Sequence, residues 1–227
     1  DGKGELVVPH KEEYTKLFKE YDVGAGATVH ELKEKTKQFF LRHPLRQFHG
    51  YKNHDVAGDY LYNCKNVKDS YMVRNSENLH YCHLLKSGLV YNSMDYTVFG
   101  TKSEWIYNSA WVGLHTSNVK FSCWAYRNHD IEYCFGCHSS GNLFGCVGLR
   151  SAQYCIFNRQ YSKEEYEVLV PKIKEQMSKI AYTDGLGREY RYGDFFPAEL
   201  CPWAYNETNA QEFLPLDKKE AEKLGFG

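Results

Sequence analysis

The stretches Asn118-Val119-Lys120-Phe121-Ser122, Asp130-Ile131-Glu132-Tyr133-Cys134 and Asn142-Leu143-Phe144-Gly145-Cys146 follow one five-residue pattern at a constant interval, starting at positions 118, 130 and 142. Asn66-Val67-Lys68-Asp69-Ser70 and Asn78-Leu79-His80-Tyr81-Cys82 keep the same interval, and Ser151-Ala152-Gln153-Tyr154-Cys155 is a looser copy. Between these copies, Tyr91-Asn92-Ser93 and Tyr107-Asn108-Ser109 echo Tyr62-Asn63-Cys64. The pattern is Asn or Asp, an aliphatic residue, two variable residues, then Cys or Ser. A unit this short cannot bury an apolar face alone, but stacked copies share a continuous core. The aliphatic and Cys/Ser positions are expected to point inward. Asn and Asp are expected at corners, where left-handed backbone and side-chain bonds help the chain turn. Aromatic side chains should stack along a face. The spacing predicts a parallel β-solenoid, with two units, roughly 20–24 residues, in each coil. A β-sandwich is the alternative, but the Asn-Gly and Asp-Gly signals of hairpins are scarce between the units.

Outside the repeat the hydrophobic period becomes helical. A helix is expected around Lys11–Tyr21, where Tyr14, Leu17, Phe18 and Tyr21 share a face. A second should start at Thr28 as N-cap with Glu31 closing a capping box, and stop at His43-Pro44. Ser162 and Glu165 form another capping box, ahead of a stripe of Tyr166, Leu169, Val170, Ile173, Met177 and Ile180. Pro171 should kink that helix or restart it. A short helix is expected near Asp217–Leu224. The chain therefore reads as mainly β, a short parallel β-helix over 51–160. A helical N-terminal cap (1–50) precedes it. A C-terminal capping helix and an irregular aromatic tail packed on the solenoid (161–227) follow.

Composition narrows the function classes. Lys+Arg (28) nearly balances Asp+Glu (29), so the net charge of −1 gives no bulk support for nucleic-acid binding. No apolar run is long enough to span a membrane. Aromatic residues make up 16% of the 227, with 19 Tyr, which suits half-buried β-positions. Eight Cys recur inside the repeat, which favours stacked reduced thiols over a disulfide scaffold and points to a cytoplasmic, reducing compartment. The chain begins at Asp1 without Met, so it is expected to be a fragment.

Four residues carry the most tempting chemistry. Cys134-Phe135-Gly136-Cys137-His138 matches the C-x-x-C-H signature of covalent haem attachment. The repeat accounts for Cys134 without any cofactor, because it fills the slot of Cys82 and Cys146. His129, Cys134, Cys137 and His138 also have the right donor types for zinc, as do His80, Cys82 and His83. Buried thiols beside surface imidazoles explain the same residues. Asp55, Asp59, Asp69, Asp95 and Asp130 would serve a glycan-cleaving β-helix enzyme only if two converged on one face. Trp105, Trp111 and Trp124 offer a stacking surface for sugars or bases. No phosphate-cradling or nucleophile-elbow motif is present. The reading is a non-enzymatic scaffold or binding module with no cofactor expected, whose partner is another protein or a second copy of the chain. A glycan-acting enzyme and a haem- or metal-binding protein are the alternatives.

The stretch NLFGCVGLRSAQYCIFNRQ (Asn142–Gln160), continued by YSKEEYEVL, resembles a family of Asn/Cys/Tyr-repeat proteins from candidate-phylum bacteria. The tail GDFFPAELCPWAYNETNAQEFLPL (Gly193–Leu216) is similar to the same family. The resemblance covers about two-thirds of the chain and stops before about His49. It implies a solenoid core within a longer protein, often with zinc-ribbon-like segments outside this region. It brings no activity and no catalytic residues.

Overall fold

A computed structural model describes residues 10–19, 21–43 and 46–226, without the side chains of Leu17 and Phe18. The chain divides between Gln47 and Phe48 into two compact units. The first holds two helices, α1 (Lys11–Lys19) and α2 (Gly26–Phe40). The apolar face expected of α1 includes Leu17 and Phe18, whose side chains lie outside the description. Helix α2 corrects the expected start. Ala25, extended at φ −87° and ψ 123°, is its N-cap and makes no side-chain cap bond. Gly26 and Ala27 join the helix, so Thr28 sits inside the first turn and the Thr28–Glu31 box does not form. The helix ends at Phe40, and Pro44 lies outside the described residues.

The second unit is a parallel β-solenoid of about nine coils. Its twelve strands run from β1 (Gly50–Tyr51) to β12 (Arg159–Gln160) in one sheet, parallel throughout except where β12 turns back on β11 (Gln153–Ile156). The register gives the coil length directly. Gly50 pairs with Leu61, Val67 with Leu79, Leu79 with Ser93, Ile106 with Val119, and Ile131 with Leu143. From one partner to the next the chain advances by between eleven and fourteen positions, most often by twelve. A coil is therefore one repeat interval long, about half the length expected from the sequence.

The backbone explains the tighter winding. Asn63, Asn66, Asp69, Met72, Asn75, Asn78 and Tyr81 all have positive φ, one residue in every three. The residue after each of them points inward, from Cys64, Val67, Ser70 and Val73 to Ser76, Leu79 and Cys82, all buried. Each side of the coil is thus a triplet of left-handed residue, inward residue and outward residue, and four triplets close a coil. The five-residue pattern is two successive inward positions with the corner ahead of each. The looser copy at Ser151 is displaced by one column: Cys155 stacks on Leu143, the aliphatic column, rather than on Cys146. Left-handed φ disfavours every residue but Gly, and Asn and Asp least among the rest. This is why Asn66, Asn78, Asn118, Asp130 and Asn142 hold corners.

The interior is four columns, and their chemistry differs. One is mainly aliphatic: Val56, Val67, Leu79, Ile106, Val119, Ile131 and Leu143 stack in register. A second is mainly hydroxyl and thiol. Ser122 Oγ donates to the Lys120 carbonyl at 2.8 Å and accepts the Cys134 amide at 3.0 Å. Ser70 does the same for the Lys68 carbonyl and the Cys82 amide. At Ser122 the short inward hydroxyl thus pairs an amide that the ladder leaves without a carbonyl, and adds a second bond to the Lys120 carbonyl, which also takes the Tyr133 amide. Among the described residues no buried side-chain N or O lacks a partner. The coils widen slightly on either side of Tyr96, which replaces a small residue and pairs with Cys82 below and Ser109 above. Its whole ring is inside, with the hydroxyl on the Val112 carbonyl. Gly100 makes room beside it, since a Cβ there would stand 2.7 Å from Val90 and 2.8 Å from Leu85.

Helix α3 (Lys163–Lys179) starts at the Ser162 capping box as expected. It runs through Pro171 as one element, so no restart occurs. The proline is exposed, which leaves the carbonyl it frees facing water. Val170 packs with Phe144 and Ile156, and Tyr166, Leu169, Ile173 and Met177 extend that cluster over the last coils. The tail then folds back: Tyr192 donates to Glu132 at 3.0 Å, and Tyr133 donates to the Asp194 carbonyl at 3.1 Å. Helices α4 (Ala210–Phe213) and α5 (Lys218–Lys223) close the chain, with Asp217 capping α5.

Candidate functional site

The triplet period decides the fate of the C-x-x-C-H motif. Residues three apart both face inward, and the next one faces out. Cys134 and Cys137 are fully buried on adjacent sides of one coil, whereas His138 lies on the outer surface. Haem attachment needs both thiols and the imidazole around one macrocycle. Here the backbone separates thiols from imidazole, so the motif does not fit haem.

The thiols belong to the core. The Cys134 Sγ–H points at the Glu132 carbonyl at 3.3 Å, Cys137 at the Cys146 carbonyl at 3.4 Å, and Cys146 at the Cys155 carbonyl at 3.4 Å. Contacts with the Cys137 and Cys146 thiols, then burial, raise the Cys134 pKa, and the same contacts lower theirs against the upward push of burial. His129 is elsewhere, exposed, 3.0 Å from Asp130, with its ring over Gly141. His80 is stacked on Tyr81 and bonded to Asp69, again outside the coil from Cys82. The four expected metal donors are therefore not brought together. Among the described residues no group of three or more His, Cys, Asp or Glu is arranged to hold a metal ion.

This placement predicts thiol reactivity. Cys201 is exposed, Cys123 half-buried, and Cys64, Cys82, Cys134, Cys137, Cys146 and Cys155 are buried. Burial lifts the Cys82 thiol to about 12. An Ellman titration of the native protein should consume Cys201 quickly and Cys123 slowly. The other six should react only on unfolding.

The carboxylates do not pair either. Asp55 binds Lys68, Asp59 binds His49 at 3.0 Å, and Asp130 accepts from Asn118 at 2.6 Å. Asp69 and Asp95 share a row, but Tyr81 stands between them. The Asp55, Asp59 and Asp130 carboxyls are all held below their ordinary range. For Asp59 and Asp130, hydrogen bonds outweigh the upward push of burial. A glycosidic acid catalyst needs the opposite shift.

A groove of about 790 Å³ runs along one side of the solenoid. Asn66, Asn78, Asn92 and Asn118 line one rim, and Trp105 takes the same corner in the coil between Asn92 and Asn118. Lys68, His80, Met94, Tyr107 and Lys120 line the other rim. The amides form a chain: Asn66 donates to Asn78 at 3.0 Å and Asn78 to Asn92 at 2.9 Å. Trp105 interrupts it, 58% exposed. Parallel strands repeat about every 4.8 Å, so the rims present amides at a constant step along the axis. Sequence reasoning assigned these Asn to corners and missed their outward row. The signal was there, in the regular recurrence of Asn66 and Asn78.

No known protein family and no curated protein matches this chain. No helix among the described residues is long and apolar enough to cross a membrane.

Proposed function

We propose that the chain is a non-enzymatic binding module whose groove takes a neutral oligosaccharide lying along the solenoid axis. The observation that carries this reading is the groove itself: evenly stepped Asn amides and exposed Trp105 on one rim, with half-buried Tyr107 on the other. Amides donate to and accept from sugar hydroxyls, and an exposed indole stacks on a pyranose face. The interior supports a binding role too, since its thiols, hydroxyls and amides are engaged in the fold. Titration of neutral glucan, xylan and chitin hexamers, followed by Trp fluorescence, tests it. At least one hexamer should bind, and Trp105→Ala should weaken that binding about tenfold, roughly 1.4 kcal/mol. Equal binding by wild type and Trp105→Ala, or none by any hexamer, contradicts it.

A second reading rests on another row. Phe99, Trp111, Trp124 and Phe135 follow one another at centroid distances of 5.9, 6.3 and 5.8 Å, and Trp111 and Trp124 are exposed. Such a row favours self-association. Sedimentation of wild type and Trp111→Ser/Trp124→Ser across a concentration series separates the two readings.

A further inference from the structure

A cleft of about 420 Å³ lies at another corner of the solenoid, away from the groove's residues. It is lined by Tyr126, Arg127, His138, Ser139, Arg150 and Ser151, with Leu114 at one end. Two rows meet there. Tyr126 pairs with His138 and His138 with Arg150, coil upon coil. Arg127, Ser139 and Ser151 are the corner residues that follow them, all with left-handed φ. Arg127 and Arg150 therefore stand two coils apart, about 10 Å along the axis, with His138 and Ser139 between them and Ser151 beside Arg150.

The charges in this cleft are uncompensated. Arg127 and Arg150 are exposed, and neither has a carboxylate partner among the described residues. The lining contains no Asp or Glu. His138 is fixed by its stack on Tyr126, at 5.2 Å and 19°. Burial, then the Arg150 guanidinium, hold the His138 imidazole below its usual range.

We infer that this cleft is a binding site for a tetrahedral oxyanion, a phosphate or sulfate group on a small ligand, clamped by Arg127 and Arg150 over the hydroxyls of Ser139 and Ser151. Guanidinium forks match such oxygens two at a time, and hydroxyls donate to those that remain. The site is independent of the groove, and neither reading needs the other.

Inorganic phosphate is the probe. Titrated into the whole chain, it should shift the backbone amides of Ser139 and Ser151 saturably, with a dissociation constant on the order of 1 mM. Arg127→Gln/Arg150→Gln should weaken binding about tenfold or more. Lys102→Gln, at a corner two coils earlier, should leave it within about twofold. Both variants alter exposed side chains, and circular dichroism checks that the fold is kept. Sulfate should compete with phosphate. Equal affinity in the double arginine variant, or shifts as large at Lys102 as at Ser139, would overturn the site. An acetate titration matching that of phosphate would overturn the assignment to a tetrahedral anion.

Discussion

Replacing Ile131 by alanine should cost about 2–5 kcal/mol of stability. Ile131 is fully buried and stacked between Val119 and Leu143. A coil of four triplets has only four inward side chains, and in this one the others are Asn128, Cys134 and Cys137. Ile131 is thus the one large aliphatic group at its level. The cavity it leaves cannot collapse, because the backbone above and below is held by the ladder. The expected result in urea is a lower midpoint with an unchanged slope. Contacts in a solenoid reach only adjacent coils, so the damage should stay close to its origin. Hydrogen exchange should speed up first in the coils of Val119 and Leu143.

Ser122→Ala should cost about 1–3 kcal/mol, although it removes a single oxygen. That oxygen satisfies the Lys120 carbonyl and the Cys134 amide, both inside the coil. The Cys134 amide loses its partner outright, whereas the Lys120 carbonyl keeps the Tyr133 amide at 3.2 Å. Ser122→Cys is the informative contrast. Cys82, Cys134 and Cys146 fill the same column, and each thiol meets the carbonyl two residues back at 3.3–3.4 Å. The cysteine variant should therefore stay within about 1 kcal/mol of wild type. If both variants lose equally, the volume of the side chain rather than its hydrogen bonds sets the requirement. Chemical denaturation of the pair decides between them.

Much of the fold was legible because its chemistry repeats. Val67 and Leu79, or Ser122 and Cys134, are separated by the same interval, and an inward column needs like residues at each level. The coil length was misread for a physical reason. Two of the four columns are mainly aliphatic, that of Val67 and Leu79 and that of Leu61, Val73, Leu85 and Val112, so the hydrophobic pattern reports every second side and hides the triplet. The triplet is written instead in backbone conformation, where Asn marks some corners but Tyr81, Trp105 and Phe121 hold others. Aromatic residues at positive φ carry no recognisable sequence signal. The same period undid the C-x-x-C-H motif, since a three-residue side sends Cys134 and Cys137 inward and His138 out. The Arg127–Arg150 cleft was invisible because its residues come from three coils and share no local motif. The Asn row was visible as a recurrence, but whether its amides face a corner or a groove depends on the coil it belongs to.

Columns, groove and cleft all depend on a coil of four triplets. Methyl–methyl NOEs in selectively labelled protein test that coil directly. Four triplets predict strong contacts between Val119 and Ile131 and between Ile131 and Leu143, about 4.8 Å apart by strand spacing, and a far weaker one between Val119 and Leu143. A strong Val119–Leu143 contact with none from either residue to Ile131 would mean a coil twice as long and would contradict this winding.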